Sequence, residues 1–166
     1  MAISTTIPGF VIRAAAEADA PLVLSFIKKL AAYEKLSHEV SATEELLRET
    51  LFGERPSAEV AIGYFDGKPV GFVLFFHNYS TFLARPGLYI EDLFVDEAYR
   101  RRGFGRALLL HVARLAGERQ CGRLEWAVLD WNEPAVNFYK KLGAVAMDEW
   151  TVFRVTGPAL NKLAGS

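Results

Sequence analysis

The sequence has very little of what a disulfide-stabilised or metal-binding protein needs. Its 166 residues include a single cysteine, Cys121, which excludes an intramolecular disulfide and a cysteine-based zinc site. The three histidines, His38, His77 and His111, do not have the spacing of metal ligands. We therefore expect a protein that works without a bound metal.

Excess charge and long apolar runs are also missing. The formal net charge is −1, whereas a nucleic-acid-binding protein is usually distinctly basic. The longest apolar run, Val70 to Phe76 with one glycine, is far shorter than the roughly 20 residues of a membrane-spanning helix. The N-terminal residues show no basic segment followed by an apolar core, the pattern of a secretory signal. These absences predict a soluble, cytoplasmic protein with neither a nucleic-acid nor a membrane partner.

Hydrophobic residues are plentiful, at 51%, and they fall into strand-like and helix-like segments. We interpret residues 1–9, which end in Pro-Gly, as an N-terminal tail, and residues 10–166 as one domain. The predicted order is strand, helix, helix, three strands, helix, strand, helix, strand. This order is typical of a mixed α/β sheet with helices on its faces.

Local signals set the predicted boundaries of these elements. Asp19 is expected to cap the first helix, and Ser41 to begin a capping box with Glu44 at the second. The Asp-Gly-Lys-Pro segment at 66–69 predicts a hairpin turn, and residues 77–87 a loop. Asn132 is expected to cap the last long helix. The predicted strands are 10–13, 60–65, 70–76, 88–95, 123–128 and 150–155.

A basic, glycine-containing turn at residues 99–106 lies between a strand-like segment and a helical one. Gly103 and Gly105 let the backbone approach a ligand closely. At the start of a helix, unpaired N–H groups and the positive end of the helix dipole face one point. The turn therefore predicts a pyrophosphate site.

Other interpretations of this turn have to be weighed. Its four arginines could form a solvated basic loop, and the residues alone leave that alternative open. A nucleoside-triphosphate loop would need Gly-x-x-x-x-Gly-Lys-Ser/Thr, which is absent. A dinucleotide-binding turn would follow the first strand and would have glycine where Leu108 stands, so it is disfavoured as well.

The turn also matches a known signature. Arg100, Gly103 and Gly105 fill the defining places of Arg/Gln-x-x-Gly-x-Gly/Ala, so the turn resembles the acyl-CoA-binding motif of the GCN5-related N-acetyltransferase (GNAT) superfamily. Further segments extend the resemblance to the diamine acetyltransferases and, within them, to the thialysine N-epsilon-acetyltransferase branch. Arg101 departs from it, because the polyamine enzymes tend to have glycine there. The further segments are AYEKLS at 32–37, YIED at 89–92, AVLDWN at 127–132, FYKKLGA at 138–144 and KLAG at 162–165.

The resemblance implies a GNAT fold, which is a mixed, mostly antiparallel twisted sheet flanked by helices. It also implies acetyl-CoA as cosubstrate and a homodimer. The residues that would contact the cosubstrate are Leu93, Phe94, Val95, Arg100, Arg101, Arg102, Gly103, Phe104, Gly105, Arg106, Asn132, Glu133, Pro134 and Ala135.

The same resemblance suggests the residues of catalysis and amine binding. Glu91 would accept a proton from the attacking amine, and Tyr139 would protonate the departing thiolate. Tyr33 and Glu34 match amine-site positions, together with Glu91. Each has a plain structural alternative, since a strand carboxylate can bind an arginine and a helix tyrosine can pack in the core. Strand alternation places Asp92 on the opposite face from Glu91, so we do not expect both to serve one site directly.

The sequence therefore predicts an acetyl-CoA-dependent N-acetyltransferase that acts on the primary amine of a small molecule. A lysine-like amino acid such as thialysine is the first expected substrate, and a diamine or polyamine the second. A protein N-acetyltransferase and a catalytically silent CoA-binding or dimerisation module remain as alternatives.

Overall fold

The computed structural model describes residues 1–165. Contacts within the chain divide it into two compact units, one from Met1 to Ala127 and one that begins at Val128, and each is described by itself. No helix in residues 1–165 is both long and apolar enough to cross a membrane.

The first unit is built on a six-stranded sheet whose spatial order follows the chain order. The first five strands pair antiparallel, and β6 pairs parallel with β5. The predicted mixed, mostly antiparallel sheet is thus confirmed. The strands are β1 (Ala2–Ser4), β2 (Phe10–Ala14), β3 (Glu59–Phe65), β4 (Lys68–Ser80), β5 (Arg85–Val95) and β6 (Leu124–Trp126).

Three helices of this unit cover the sheet: α1 (Ala20–Tyr33), α2 (Glu44–Phe52) and α3 (Phe104–Glu118). On one face, Phe26 of α1 stacks on Phe72 of β4, with ring centres 5.4 Å apart. On the other face, Phe104 of α3 stacks on Phe10 of β2 at 4.3 Å. Burying such rings supplies most of the free energy that holds a helix on a sheet. The sheet is therefore fixed between two helical layers.

Several predicted boundaries are wrong. Residues 77–87 were expected to form a loop, but β4 and β5 extend through them and leave only 81–84 between the strands. Asp19 stands at the N-cap position of α1 as expected, but its side chain does not cap the helix, because its carboxylate accepts from the N–H of Ala16 and pairs with Arg13. The cap of α2 is Thr43 rather than Ser41. Residues 1–9, which we interpreted as a tail, contain the edge strand β1.

The second unit contains α4 (Glu133–Lys141) and α5 (Gly157–Ala164). The predicted helix start is confirmed, since the side chain of Asn132 accepts from the N–H of Ala135 at 3.4 Å. The strand expected at 123–128 shortens to β6. The strand expected at 150–155 is wrong, because those residues adopt no regular secondary structure. Their aromatic and β-branched composition was a strand signal, but such a strand forms only where a partner strand pairs with it.

Candidate active site

The basic turn connects β5 to α3, and its backbone has the form that an anion site requires. Gly103 is the N-cap residue of α3 and takes the left-handed conformation, with φ 82°. Within residues 1–165 no side chain caps this helix end. Its first N–H groups and the positive end of its dipole are therefore available to an anion.

Gly105 is open on the side that a ligand would approach. It lies in the first turn of α3, and no positive φ requires a glycine there. A Cβ atom placed on it would meet only the Val95 side chain, at an ordinary 3.8 Å. The protein itself therefore does not need glycine at this place, whereas a phosphate in contact with the backbone would. A diphosphate group thus fits the residues that surround it.

The side chains of the turn divide into two groups. Phe104 is 1% exposed and packs in the core, so only its backbone can reach a ligand. Arg100 donates from Nε to the Val95 carbonyl at 3.0 Å, and its guanidinium lies 4.3 Å from the Tyr33 ring centre. Arg102 lies over the rings of Phe65 and Tyr99, at 5.6 and 5.5 Å. Arg101 and Arg106 are exposed to solvent.

Arg101 is the residue of the turn that departs from the resemblance. Its φ is +63°, a left-handed conformation that is strained for any residue with a Cβ. A glycine would adopt it freely.

A β-bulge lies at Glu91. On β4, Leu74 pairs with Asp92 and Phe75 pairs with Ile90, so Glu91 is the extra residue between them. A bulge bends the strand and interrupts its alternation. The argument from alternation that separated Asp92 from Glu91 therefore does not hold across this position.

The sheet also opens beside the bulge. The pairing of β5 with β6 ends at Ile90 and Trp126. Among the strands of residues 1–165, the stretch from Glu91 to Val95 is paired with β4 alone. Backbone groups of residues 93–95 that face the other edge can therefore bind an extended ligand in the manner of an added strand, although the Val95 carbonyl already accepts from Arg100.

Two carboxylates act on a third, that of Asp92, near this bulge. Burial, then the charge of Glu91 and then that of Glu34, raises the pKa of Asp92 to about 6. Burial also raises the pKa of Glu34, which follows the last residue of α1. Neighbouring carboxylates whose negative charges repel one another attract a cation. The sequence did not indicate that Asp92 lies at the candidate amine site, because strand alternation placed it on the face opposite Glu91. The bulge that interrupts this alternation has no local sequence signal.

The remaining predicted residues belong to the second unit. Asn132, Glu133, Pro134 and Ala135 form the capped start of α4, with the proline in its first turn. Tyr139 is half-buried on the same helix, and its ring centre lies 5.2 Å from that of Phe138. The capped, proline-initiated helix predicted from the sequence is therefore present.

Comparison with known proteins agrees with these features. The family model described as the acetyltransferase (GNAT) family matches residues 27–144. The thialysine N-epsilon-acetyltransferase of Bos taurus is 40% identical over 93% of this chain and 96% of its own length. The L-ornithine N5-acetyltransferase of Arabidopsis thaliana is 36% identical over 92% of this chain and 86% of its own.

A solved structure has the same fold. An integron cassette protein from the mobile metagenome of V. cholerae superposes with a TM-score of 0.80 at 29% identity, covering 95% of this chain and 99% of the other. The match extends over most of the sheet and helices described above. The chain therefore belongs to the acetyltransferase (GNAT) family and is an N-acetyltransferase.

Proposed function

We propose that this enzyme transfers the acetyl group of acetyl-CoA to the side-chain amine of a small, lysine-like amino acid. One observation carries the proposal. The carboxylates Glu91 and Asp92 lie on the strand that ends at the phosphate-binding turn, and the charge of Glu34 at the end of α1 acts on Asp92. An anion site and a cation site thus lie at the same end of one strand.

In this proposal the backbone of the turn holds the pyrophosphate. The N–H groups around Gly103, Phe104 and Gly105 point to one place, and no described side chain competes for them. Arg101 and Arg106 add positive charge from solvent-exposed positions. The free edge of β5 at residues 93–95 takes the pantetheine arm. The resemblance of residues 132–135 to the family suggests that the start of α4 contacts the same arm.

The amine has to lose a proton before it attacks. A lysine-like amine titrates near 10.4, so at pH 7 only roughly one molecule in 2,500 is neutral, a deficit of about 4.6 kcal/mol. The protonated amine binds against Asp92 and Glu34. Burial raises the pKa of both carboxyl groups, and the charges of Glu91 and Glu34 raise that of Asp92 further. Glu91, which is exposed, accepts the proton directly or through water.

Acetyl transfer then needs no acyl-enzyme. The amine nitrogen forms a bond to the thioester carbonyl carbon, and the carbon–sulfur bond breaks. The sulfur leaves as a thiolate and takes a proton from Tyr139, the role that the resemblance gives to this residue. The nitrogen loses its remaining extra proton as the amide forms, and this proton returns through water to the Tyr139 phenolate. A phenol near 10 is a weaker acid than a thiol near 8.5, so the transfer depends on close positioning.

The substrate class is proposed from the relatives. The bovine relative is named for thialysine and the plant relative for L-ornithine, both of them amino acids with a side-chain amine. A diamine or polyamine is the second candidate, because a far ammonium could bind at Glu34. A protein substrate and a catalytically silent CoA-binding module are the outcomes that the experiment must exclude.

Three further features belong to the proposal. The homodimer is suggested by the resemblance and by the exposed apolar side chains of Tyr79, Phe82 and Leu83 at the β4–β5 hairpin. A cytoplasmic location and a reaction without a metal remain predictions from the sequence.

The test is acetyl-CoA turnover, followed by release of the CoA thiol, with separate amines at equal concentration. The panel contains thialysine, lysine, ornithine, putrescine, spermidine and lysine-containing peptides. We expect the amino acids to give the highest kcat/KM. Preference for the peptides would support a protein substrate, and binding of acetyl-CoA with no turnover of any amine would support the silent module.

A further inference from the structure

Arg100 holds the first place of the phosphate-binding motif, yet its side chain is engaged by residues outside the turn. Nε donates to the carbonyl oxygen of Val95 at 3.0 Å. The guanidinium carbon lies 4.3 Å from the centre of the Tyr33 ring and 5.6 Å from that of Phe94. A planar guanidinium can donate from Nε while its plane stacks on a ring, and a lysine ammonium has no plane to stack in this way.

These contacts join three parts of the first unit. Tyr33 is the last residue of α1, and Glu34 follows it directly. Val95 is the last residue of β5, the strand that carries Glu91 and Asp92. The backbone of Arg100 itself begins the turn that leads into α3. One side chain therefore connects the turn with the helix end that carries Glu34.

We propose that Arg100 is a positioning residue that couples the acetyl-CoA turn to the amine site, so that each substrate binds more tightly when the other is present. The inference rests on the proposed function, which assigns the turn to acetyl-CoA and Glu34 to the amine. A ligand that orders the turn fixes Arg100, and Arg100 fixes Tyr33 by contact. Glu34 directly follows Tyr33 in the chain and is fixed with it. The second ligand then loses less conformational entropy on binding.

The competing role for Arg100 is that of a phosphate ligand. In that role its positive charge would matter more than its shape, and lysine would replace it well. In a coupling role, the stacked plane and the Nε–H donor matter, and lysine would not restore them. Arg100→Gln and Arg100→Lys together separate the two roles.

The experiment uses the full chain and an amine that the wild type acetylates. The Kd of CoA is measured by calorimetry with and without saturating amine, and the KM of the amine is measured by turnover. In both variants we expect the Kd of CoA measured without amine to change less than about twofold and the KM of the amine to rise at least about fivefold. We also expect the amine no longer to lower the Kd of CoA.

The matched control is Arg13→Gln. Arg13 also stacks on a tyrosine, lying 4.9 Å from the ring centre of Tyr64, but it does so at β2, and its carboxylate partner is Asp19. Its loss removes a stacked arginine and an ion pair. We expect it to lower the melting temperature without changing the Kd of CoA or the KM of the amine.

Two results would overturn the inference. One is a Kd of CoA that rises at least about tenfold in Arg100→Gln and returns to the wild-type value in Arg100→Lys, because that pattern identifies a phosphate ligand. The other is that both variants keep the wild-type KM of the amine and the amine still lowers the Kd of CoA as much as it does in the wild type.

A second variant, Tyr33→Leu, covers the case in which the Arg100 variants do not fold, and it should lose the same tightening by amine. If both single variants fold, the double variant of Arg100→Gln and Tyr33→Leu should raise the KM of the amine no more than the more severe single variant does. Fully additive effects on the KM would count against coupling.

If the wild type acetylates no amine, the proposed function fails. In that case the Kd of CoA in Arg100→Gln and in Arg100→Lys still tests whether Arg100 is a phosphate ligand, because this measurement needs no turnover.

Discussion

The carboxyl group of Asp92 on β5 lies within the electrostatic influence of Glu34 at the end of α1. Burial and the two neighbouring carboxylates raise the pKa of Asp92 from 3.8 to about 6. The folded state therefore binds this proton more tightly than the unfolded state. The stability that protonated Asp92 contributes is complete below pH 3.8 and is lost as the pH rises through about 6.

Asp92→Asn tests this relationship. The neutral amide avoids the penalty of the buried charge, so the variant should exceed the wild type in stability above pH 6. The rise of the Asp92 pKa from 3.8 to about 6 corresponds to a stability difference of at most about 3 kcal/mol. Urea unfolding at pH 5 and pH 8 measures it, and the gap between the two proteins should widen with pH. The same variant should raise the KM of the amine. If the difference in stability between the two proteins is the same at both pH values, the charged Asp92 carboxylate does not destabilise the folded protein.

Arg101→Gly tests the strain in the turn. Glycine adopts a positive φ without a steric penalty but gains entropy in the unfolded chain, so we expect a net stabilisation of about 0.5 kcal/mol. Removing the exposed charge should also weaken CoA binding a few-fold and reduce its dependence on salt.

Gln120→Gly is the matched control for Arg101. Gln120 also has a positive φ, 56°, but it lies beyond the C-terminal end of α3. It should give a similar stabilisation in urea unfolding with the Kd of CoA unchanged. Loss of CoA affinity in both variants would show that Arg101 has no particular role.

Local sequence signals predicted some parts of this structure well. The glycine turn before α3, the hairpin at 66–69 and the Asn132 cap each depend on neighbouring residues, and each is present. The strand ends at His77 and Asn78 were missed because their polar side chains look loop-like. They are strand residues because they pair with Leu88 and Gly87 of β5, and this pairing is not visible locally.

The site was predictable to a similar extent. The motif identified Gly103 and Gly105, whose backbone forms the proposed anion site at an uncapped helix start. Strand periodicity could not reveal the bulge at Glu91, which depends on the register against β4 and changes how Asp92 is interpreted. The motif also could not show that the Arg100 side chain contacts Tyr33, since 67 positions separate them in the chain (100 − 33).

Glu91→Gln addresses proton removal from the amine. Because a base is needed most where the amine is charged, kcat/KM should fall mainly at low pH and recover as the pH approaches 10.4. The pH profile of kcat/KM for the best amine measures this. An equal loss at every pH would assign Glu91 to positioning rather than to proton transfer.

Tyr139→Phe addresses protonation of the thiolate. The ring remains and the acidic hydroxyl is lost, so kcat should fall about 100-fold while the Kd of acetyl-CoA stays within about twofold. Phe138→Leu on the same helix is a control for altered packing and should have a smaller effect on kcat. If kcat is unchanged in Tyr139→Phe, the thiolate takes its proton from another donor.

The central claim, that the turn before α3 holds the CoA pyrophosphate, is tested most directly by Gly105→Ala. A Cβ at this position clashes with nothing in the protein, and alanine is a better helix residue than glycine by about 0.5–1 kcal/mol, so the variant should be at least as stable as the wild type. The added methyl group would occupy the place of the phosphate, so the Kd of CoA in calorimetry should rise at least about tenfold, or about 1.4 kcal/mol. Gly117→Ala, in the same helix with nothing within 4 Å of its Cβ, should match the stability gain and leave the Kd unchanged. An unchanged Kd of CoA in Gly105→Ala would contradict the account.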